Sequence, residues 1–192
     1  MSDLTILGYV IVSREGMLAD AAGIMPDSLK FPGDQHFFNA ALDEVDLIVH
    51  GRNSFEDQPN SPKRKRIVLT RQVDGIAIDP ENSRATLWNP LGATFEQAVA
   101  HAGVTSGKIA IIGGPIVFGM FMDRFDTFWL SEAARVHLPD GQGCFPGVPA
   151  QSAREVLTSH GLKASETRVL DAANDVTVTA WQRPAAGRMS EA

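Results

Sequence analysis

At 192 residues, with 44% hydrophobic and 21% charged side chains, the chain has the length and balance of one soluble globular domain with a sizeable core. Lys and Arg number 17 against 23 Asp and Glu, a formal charge of -6, which argues against a nucleic-acid partner while leaving room for a local basic pocket for phosphate. The single cysteine, Cys144, excludes an internal disulfide framework and a cysteine zinc cluster, no apolar run reaches membrane-spanning length, and a reducing cytoplasm is the simplest setting.

In chain order, Leu4 to Ser13 reads as a buried strand, and its apolar stretch lacks the basic flank and cleavage pattern of a signal peptide. Ser13 to Gly33 is polar and marked by Gly and Pro; a loop of that length in a compact domain is usually functional or mobile. Asp34 to Asp43 reads as a helix with Asp34 as its N-cap and Phe37, Phe38, Ala41 and Leu42 on one face. Val45 to His50 is a short buried strand, and Gly51 to Glu56 turns into a short helix. Arg66 to Thr70 is a strand entered from Lys63-Arg64-Lys65-Arg66, a cluster of the kind that usually forms a solvated face. Thr94, with Gln97 three residues on, caps a helix that runs to Ala102.

The segment from Lys108 to Phe118 is the most informative. An apolar run ends in Gly113-Gly114, and a helix follows from Pro115 to Met122. Glycine lets backbone approach a ligand, helix-start N–H groups favour anions, and open α/β sheets bind ligands just beyond such strand ends. A nucleotide site and a plain turn both fit this pattern. A long strand is expected from Asp126 to Leu138, and strands again over Glu155 to Ser159, Lys163 to Leu170 and Asp175 to Gln182, where Val176, Val178 and Ala180 alternate with threonines. Helices and strands alternate early and strands cluster late, which predicts an α/β fold with a mostly parallel central sheet and an antiparallel C-terminal hairpin. The domain is placed at residues 1–183, with 184–192 as a flexible tail. The five histidines show no i, i+4 pair or H-E-x-x-H pattern, so no metal site is expected, and no P-loop or G-x-S-x-G elbow is present. His50, ending a buried strand, reads as structural.

Five segments in register carry a family resemblance: His50-Gly51-Arg52-Asn53-Ser54-Phe55-Glu56, Arg64-Lys65-Arg66-Ile67-Val68-Leu69-Thr70, Ile111-Ile112-Gly113-Gly114, Phe128-Trp129-Leu130-Ser131 and Cys144-Phe145-Pro146. From about Leu4 to Pro146 their order and spacing resemble the dihydrofolate reductase superfamily. Its two branches are dihydrofolate reductase and the reductase domain of riboflavin biosynthesis (the RibD C-terminal type). The resemblance implies a dihydrofolate reductase-like three-layer sandwich, NADPH as cofactor, and hydride transfer to a C=N bond of dihydrofolate or a related pterin. In the riboflavin branch it implies reduction of a ribosylamino-pyrimidine. A monomer goes with the first branch and a homodimer with the second. A fold that has lost catalysis and only binds nucleotide also stays open.

The resemblance carries over residue by residue. Gly51, Arg52, Asn53 and Ser54 would open a helix under the cofactor pyrophosphate, with Arg52 pairing to phosphate; a solvated Arg52 fits the sequence too. Thr70 and Arg71 suit the 2′-phosphate of NADPH. Gly113 and Gly114 would lie against the diphosphate, joined by a bond that is cis in the family, with Ile116 and Val117 just beyond. Leu18, in the loop Ser13 to Asp20, would close over the nicotinamide. Asp34 would be the catalytic carboxylate that holds the substrate and favours its protonation, although a helix cap accounts for an Asp there equally well. Phe38, one turn on, would pack on the substrate, Ser131 would hydrogen-bond the carboxylate, and Tyr9 and Val10 would touch the substrate ring. Arg64 would grip the glutamate tail of folate. Two departures stand out. Met25-Pro26 is followed by Asp27-Ser28 in place of the family's tryptophan, and the segment up to Asp34 is about two residues longer. A riboflavin-type substrate carries a phosphate and needs a further cationic pocket, for which Lys63 to Arg66 is the candidate.

Overall fold

A computed structural model describes residues 3–54 and 56–185 of the chain. Much of the tail expected from the sequence, and Phe55 of the strand-to-turn motif, lie outside these residues. Eleven strands and four helices follow in order: β1 (Leu4–Ser13), β2 (Met17–Ala19), α1 (Pro32–Asp43), β3 (Leu47–Gly51), β4 (Arg66–Leu69), β5 (Ile76–Asp79), β6 (Asn82–Trp88), α2 (Phe95–His101), β7 (Gly107–Ile111), α3 (Pro115–Phe121), β8 (Thr127–Ala133), β9 (Gln142–Gly143), α4 (Ala153–Ser159), β10 (Lys163–Asp171) and β11 (Val176–Gln182). Nine strands form one sheet in the order β10-β11-β8-β1-β7-β3-β4-β6-β5. The six from β8 to β6 are parallel. The mostly parallel α/β sheet and the C-terminal hairpin are as the sequence predicts.

Parallel strands need helical cover on both faces, and the burial follows that rule. One face packs Phe118, Phe125, Phe128 and Phe145 edge to face. The other packs Tyr9, Ile48 and Ala110 against Leu42, Phe37 and Phe38 of α1. Gly33 allows α1 to sit against the edge strand β10, because a Cβ there would stand 2.1 Å from the Leu170 carbonyl oxygen. Arg183 closes the described domain, donating to the carbonyls of Phe125, His160 and Met122 at 2.7 to 3.0 Å.

Several elements differ from the sequence expectation. Helix α1 starts at Pro32 with extended Phe31 at its N-cap, so Asp34 lies inside the first turn and is not the cap. Proline at the first helical position sets this start. Gly51 to Ser54 forms a turn, closed by Ser54 N–H to the Gly51 carbonyl at 3.0 Å, and the next helical turn among the described residues is the short 3-10 turn Ser61–Lys63. The long strand after Asp126 ends at Ala133, where Val136 N–H turns back to the Ala133 carbonyl. Glu155 to Ser159 is helical, as part of α4, because Ser152 and Glu155 make a capping box ahead of buried Ala153, Val156 and Leu157. The hairpin β5–β6 extends the sheet beyond β4 and was not anticipated. Its signal is the turn-forming Asp79-Pro80-Glu81-Asn82 between two β-rich runs.

Candidate active site

The carboxyl ends of β1 and β7, the double glycine after β7, the face of β8 and the first turns of α1 enclose a cavity of about 330 Å³. Its aromatic wall comes from Tyr9, Phe37, Phe38 and Trp129. Phe37 meets Trp129 edge to face at 5.4 Å, and Tyr9 meets Phe38 at 6.2 Å. Tyr9 and Trp129 are register partners on adjacent parallel strands and so share a face. Burial pushes the Tyr9 phenol up to about 12, so it stays protonated at neutral pH.

Asp34 lines this cavity and is 8% exposed. Burial pushes its carboxyl up to about 6, against the lowering effect of a hydrogen bond from the Ser131 hydroxyl. Ser131 projects from β8 two residues after Trp129, so strand alternation brings ring and hydroxyl to the same side.

Opposite the aromatic wall, Gly113 and Gly114 are joined by a cis bond, and Gly113 has φ +120°. Only glycine takes that φ without strain. A Cβ on Gly114 would come within 3.3 Å of the Ser54 hydroxyl oxygen. The Gly113 carbonyl accepts a 2.8 Å hydrogen bond from Gly51 N–H, tying the β3 end to the double glycine.

Of the residues singled out in the sequence, the cavity gathers Tyr9, Val10, Leu18, Asp34, Phe38, Asn53, Ser54, Gly113, Gly114 and Ser131. Leu18 reaches it from β2, which is held by pairing with β9 and by Cys144 N–H to the Gly16 carbonyl at 3.0 Å. Gly51 lies behind the double glycine, and Val117 is buried beside Gly51 in the core. Arg52, Arg71 and Ile116 are exposed outside the lining. Thr70 is buried, its hydroxyl accepting from Gln72 N–H at 3.1 Å.

Arg64 stands elsewhere than expected. It is 8% exposed, and its guanidinium donates to Glu56 at 3.0 Å, to Asp43 at 2.6 Å and to the Asn39 side chain at 2.9 Å. Arg66 is buried too, donating to the other Glu56 oxygen at 3.0 Å and to the Ser61 carbonyl at 2.9 Å. The basic run is therefore a solvated face only at Lys63 and Lys65; Arg64 and Arg66 are buried and converge on one carboxylate. Its lysines instead line a separate groove with Arg84 and Asp46, apart from Asp34.

Sequence reasoning missed Phe37, Trp129, Ile112, Met25, Lys30, Glu56 and Asp57 in the lining. Trp129 was within reach, since it sits two positions before Ser131 on one strand. Among the described residues no group of His, Cys, Asp and Glu could hold a metal ion, and no helix is long and apolar enough to cross a membrane.

The fold and site define a class: a mostly parallel α/β sheet with a ligand cleft beyond its strand ends, walled by aromatics, with the buried Asp34 carboxyl at its base and the double-glycine backbone at its side. The chain belongs to the dihydrofolate reductase family, whose family model matches residues 12–179. Three solved structures share the fold. A dihydrofolate reductase from Enterococcus faecalis, complexed with NADP(H) and RAB-propyl, is 18% identical, covers 94% of this chain and 97% of its own, and superposes with a TM-score of 0.63. A protein of Shewanella sp. PV-4 assigned to riboflavin biosynthesis is 20% identical over 95% and 99% of the two chains, with a TM-score of 0.65. A diaminohydroxyphosphoribosylaminopyrimidine deaminase/5-amino-6-(5-phosphoribosylamino)uracil reductase from Thermotoga maritima is 14% identical, with a TM-score of 0.62; the match covers 93% of this chain and 56% of that longer one. No curated protein matches the chain.

Proposed function

We propose that the protein is an NADPH-dependent reductase that reduces a C=N bond in a flat nitrogen heterocycle of the dihydrofolate or related pterin type. The observation that carries this reading is Asp34. It is a buried carboxyl, with Ser131 beside it in the lining, on the floor of an aromatic slot that opens onto Gly113-Gly114.

The residues present fit the cofactor. The double glycine leaves a cradle that a side chain would fill, with Ser54 at its edge and Asn53 beside it. Backbone there is bare enough to meet a diphosphate. Arg52 and Arg71, both exposed at the ends of β3 and β4, suit the phosphates, and Thr70 with Arg71 suits the 2′-phosphate in particular. Gly51, Ile116 and Val117 complete that side, and Leu18 covers the opening. When bound, NADPH supplies the hydride.

The chain's own groups do the rest. Asp34 accepts paired hydrogen bonds from the amino group and ring N–H of the substrate and fixes the ring plane. Ser131 holds the carboxyl in that orientation. A carboxyl raised to about 6 shares a proton with the substrate edge near neutral pH, which favours the protonated C=N that accepts hydride. Tyr9, Phe37, Phe38 and Trp129 exclude water and stack on the ring.

One observation favours a second reading. Arg64, the arginine suited to an anionic folate tail, is committed to Glu56 and Asp43. That supports a riboflavin-type reductase of a ribosylamino-pyrimidine. Steady-state NADPH oxidation with dihydrofolate, with Asp34→Asn as control, separates the readings. Asp34-dependent turnover supports the pterin reading. NADPH binding without turnover on dihydrofolate favours the riboflavin-type reading, or a nucleotide-binding module without catalysis.

A further inference from the structure

From Glu56, in the cavity lining, a run of buried polar groups leads to the end of β3 beside the double glycine. Glu56 is 6% exposed and takes Arg64 on one carboxylate oxygen and Arg66 on the other, both at 3.0 Å. Arg66 then presents a guanidinium N–H to Nε2 of His50 at 3.2 Å. An arginine can only donate, so Nε2 accepts and the proton sits on Nδ1. That Nδ1–H donates to the Gly51 carbonyl at 2.7 Å. Gly51 N–H in turn donates to the Gly113 carbonyl at 2.8 Å. Burial pushes the imidazole down to about 4, and the Arg66 charge acts the same way, so the ring is neutral and its tautomer is fixed.

We propose that His50, oriented by Arg66 and Glu56, is a positioning residue for the nucleotide: through Gly51 it sets where the Gly113-Gly114 backbone stands. This rests on the NADPH reading above. His50 is not among the residues that line the cavity. Its Nδ1–H fixes the Gly51–Arg52 peptide at the carbonyl, while the preceding His50–Gly51 peptide gives its N–H to Gly113, so Gly51 is held on both sides of its Cα and links the imidazole to the second segment. Both segments are glycine-based and have no side chain of their own to lock them. A neutral, single-tautomer histidine braced by an ion cluster supplies that rigidity.

The two ring nitrogens are separable by substitution. In His50→Asn the side-chain amide N–H takes the place of Nδ1–H and keeps the bond to Gly51. In His50→Gln the longer side chain puts its oxygen near the Nε2 position and keeps Arg66 while losing Gly51. Both variants stay polar in a buried site. Amide hydrogen exchange without ligand and NADPH affinity by fluorescence titration are read side by side. Wild type and His50→Asn are expected to protect the Gly51 amide and bind NADPH within about threefold of each other. His50→Gln is expected to lose about tenfold in each, the scale of one hydrogen bond, with the KM for the second substrate unchanged.

Equal losses in Asn and Gln, or a Gln variant with wild-type NADPH affinity, would overturn the assignment alone. A wild-type Gly51 amide that exchanges as fast as an exposed loop would overturn it without any variant. Failure of the wild type to bind NADPH would overturn the reductase reading and this assignment with it.

Discussion

Asp34 joins the proposed chemistry and the cost of burial in a single side chain. Its carboxyl is raised from 3.8 to about 6 by burial, with Ser131 acting in the opposite direction. A carboxyl so placed penalises the folded state above pH 6, and the penalty is relieved as pH falls toward 4. Replacing Asp34 with Asn is therefore expected to remove turnover by about 10²- to 10⁴-fold. It should also raise stability by about 2–3 kcal/mol at pH 8, a gain that disappears by pH 4, measured by urea unfolding at both pH values. An active variant, or one no more stable at pH 8, would separate Asp34 from its proposed role. Arg71 is the second residue with a clean test. It is exposed, with no part in the core, so Arg71→Ala should leave stability alone and weaken NADPH about tenfold more than NADH. Equal losses for the two nucleotides would remove the 2′-phosphate role. Asp34 was legible in the sequence as two rival roles, and the cap role fell because Pro32, two positions earlier, starts the helix. Arg64 misled because residue type and spacing do not report which way a guanidinium turns. Glu56, eight residues earlier, and Asp43 on α1 draw it inward, and such long-range pairings have no local signature.

At the scale of elements, the sequence was read best where a local chemical rule operates. Thr94 and Gln97 marked α2, the apolar run marked β7, and alternation marked β11. The same rule was available for α4, where Ser152 and Glu155 stand at capping-box spacing, but the β-compatible run after Glu155 hid it. The cap contributes stability without touching the site, so Ser152→Ala should cost about 1 kcal/mol. That is a fall of roughly 2–4 °C in Tm by calorimetry, with NADPH binding unchanged. Gly33 makes the contrasting case. A Cβ there meets the Leu170 carbonyl oxygen, which is backbone and cannot swing aside. Gly33→Ala must push the first turn of α1 away from β10, and Asp34 is the next residue along. Stability and Asp34-dependent chemistry should fall together in this variant, whereas Ser152→Ala moves stability alone. The strand β8 was expected to run to Leu138 because its composition stays β-like; it ends at Ala133 because β11 pairs only that far, and tertiary pairing is not written in local propensity.

For the whole molecule, the parallel order β8-β1-β7-β3 sends four strand ends to one edge, and the site is the meeting of those ends with the start of α1. Two buried titratable groups flank that edge, and their effects on stability run in opposite directions. The His50 imidazole is lowered from 6.5 to about 4, chiefly by burial. The unfolded chain therefore binds a proton that the folded chain refuses, and stability present above pH 6.5 is lost as pH falls toward 4. Asp34, raised to about 6, does the reverse: the folded chain takes up a proton first, so stability is gained as pH falls from 6 toward 4. Between pH 7 and 5 the two slopes oppose each other, and the wild type should show a shallow dependence there. Glu15 does not disturb this window. Burial raises its carboxyl, but hydrogen bonds from Leu138 N–H and Ser13 outweigh that and hold it down to about 2, so its contribution is lost only as pH falls below about 4.5. Removing either partner should expose the other. Asp34→Asn is expected to lose stability steeply on acidification from pH 7 to 5, and His50→Asn to gain it, each by up to about 2 kcal/mol across the window. Urea midpoints at pH 7, 6 and 5 for the three proteins read this directly. Slopes of the same sign in the two variants would mean that the burial of these groups, on which both the catalytic and the positioning assignments rest, does not hold in solution.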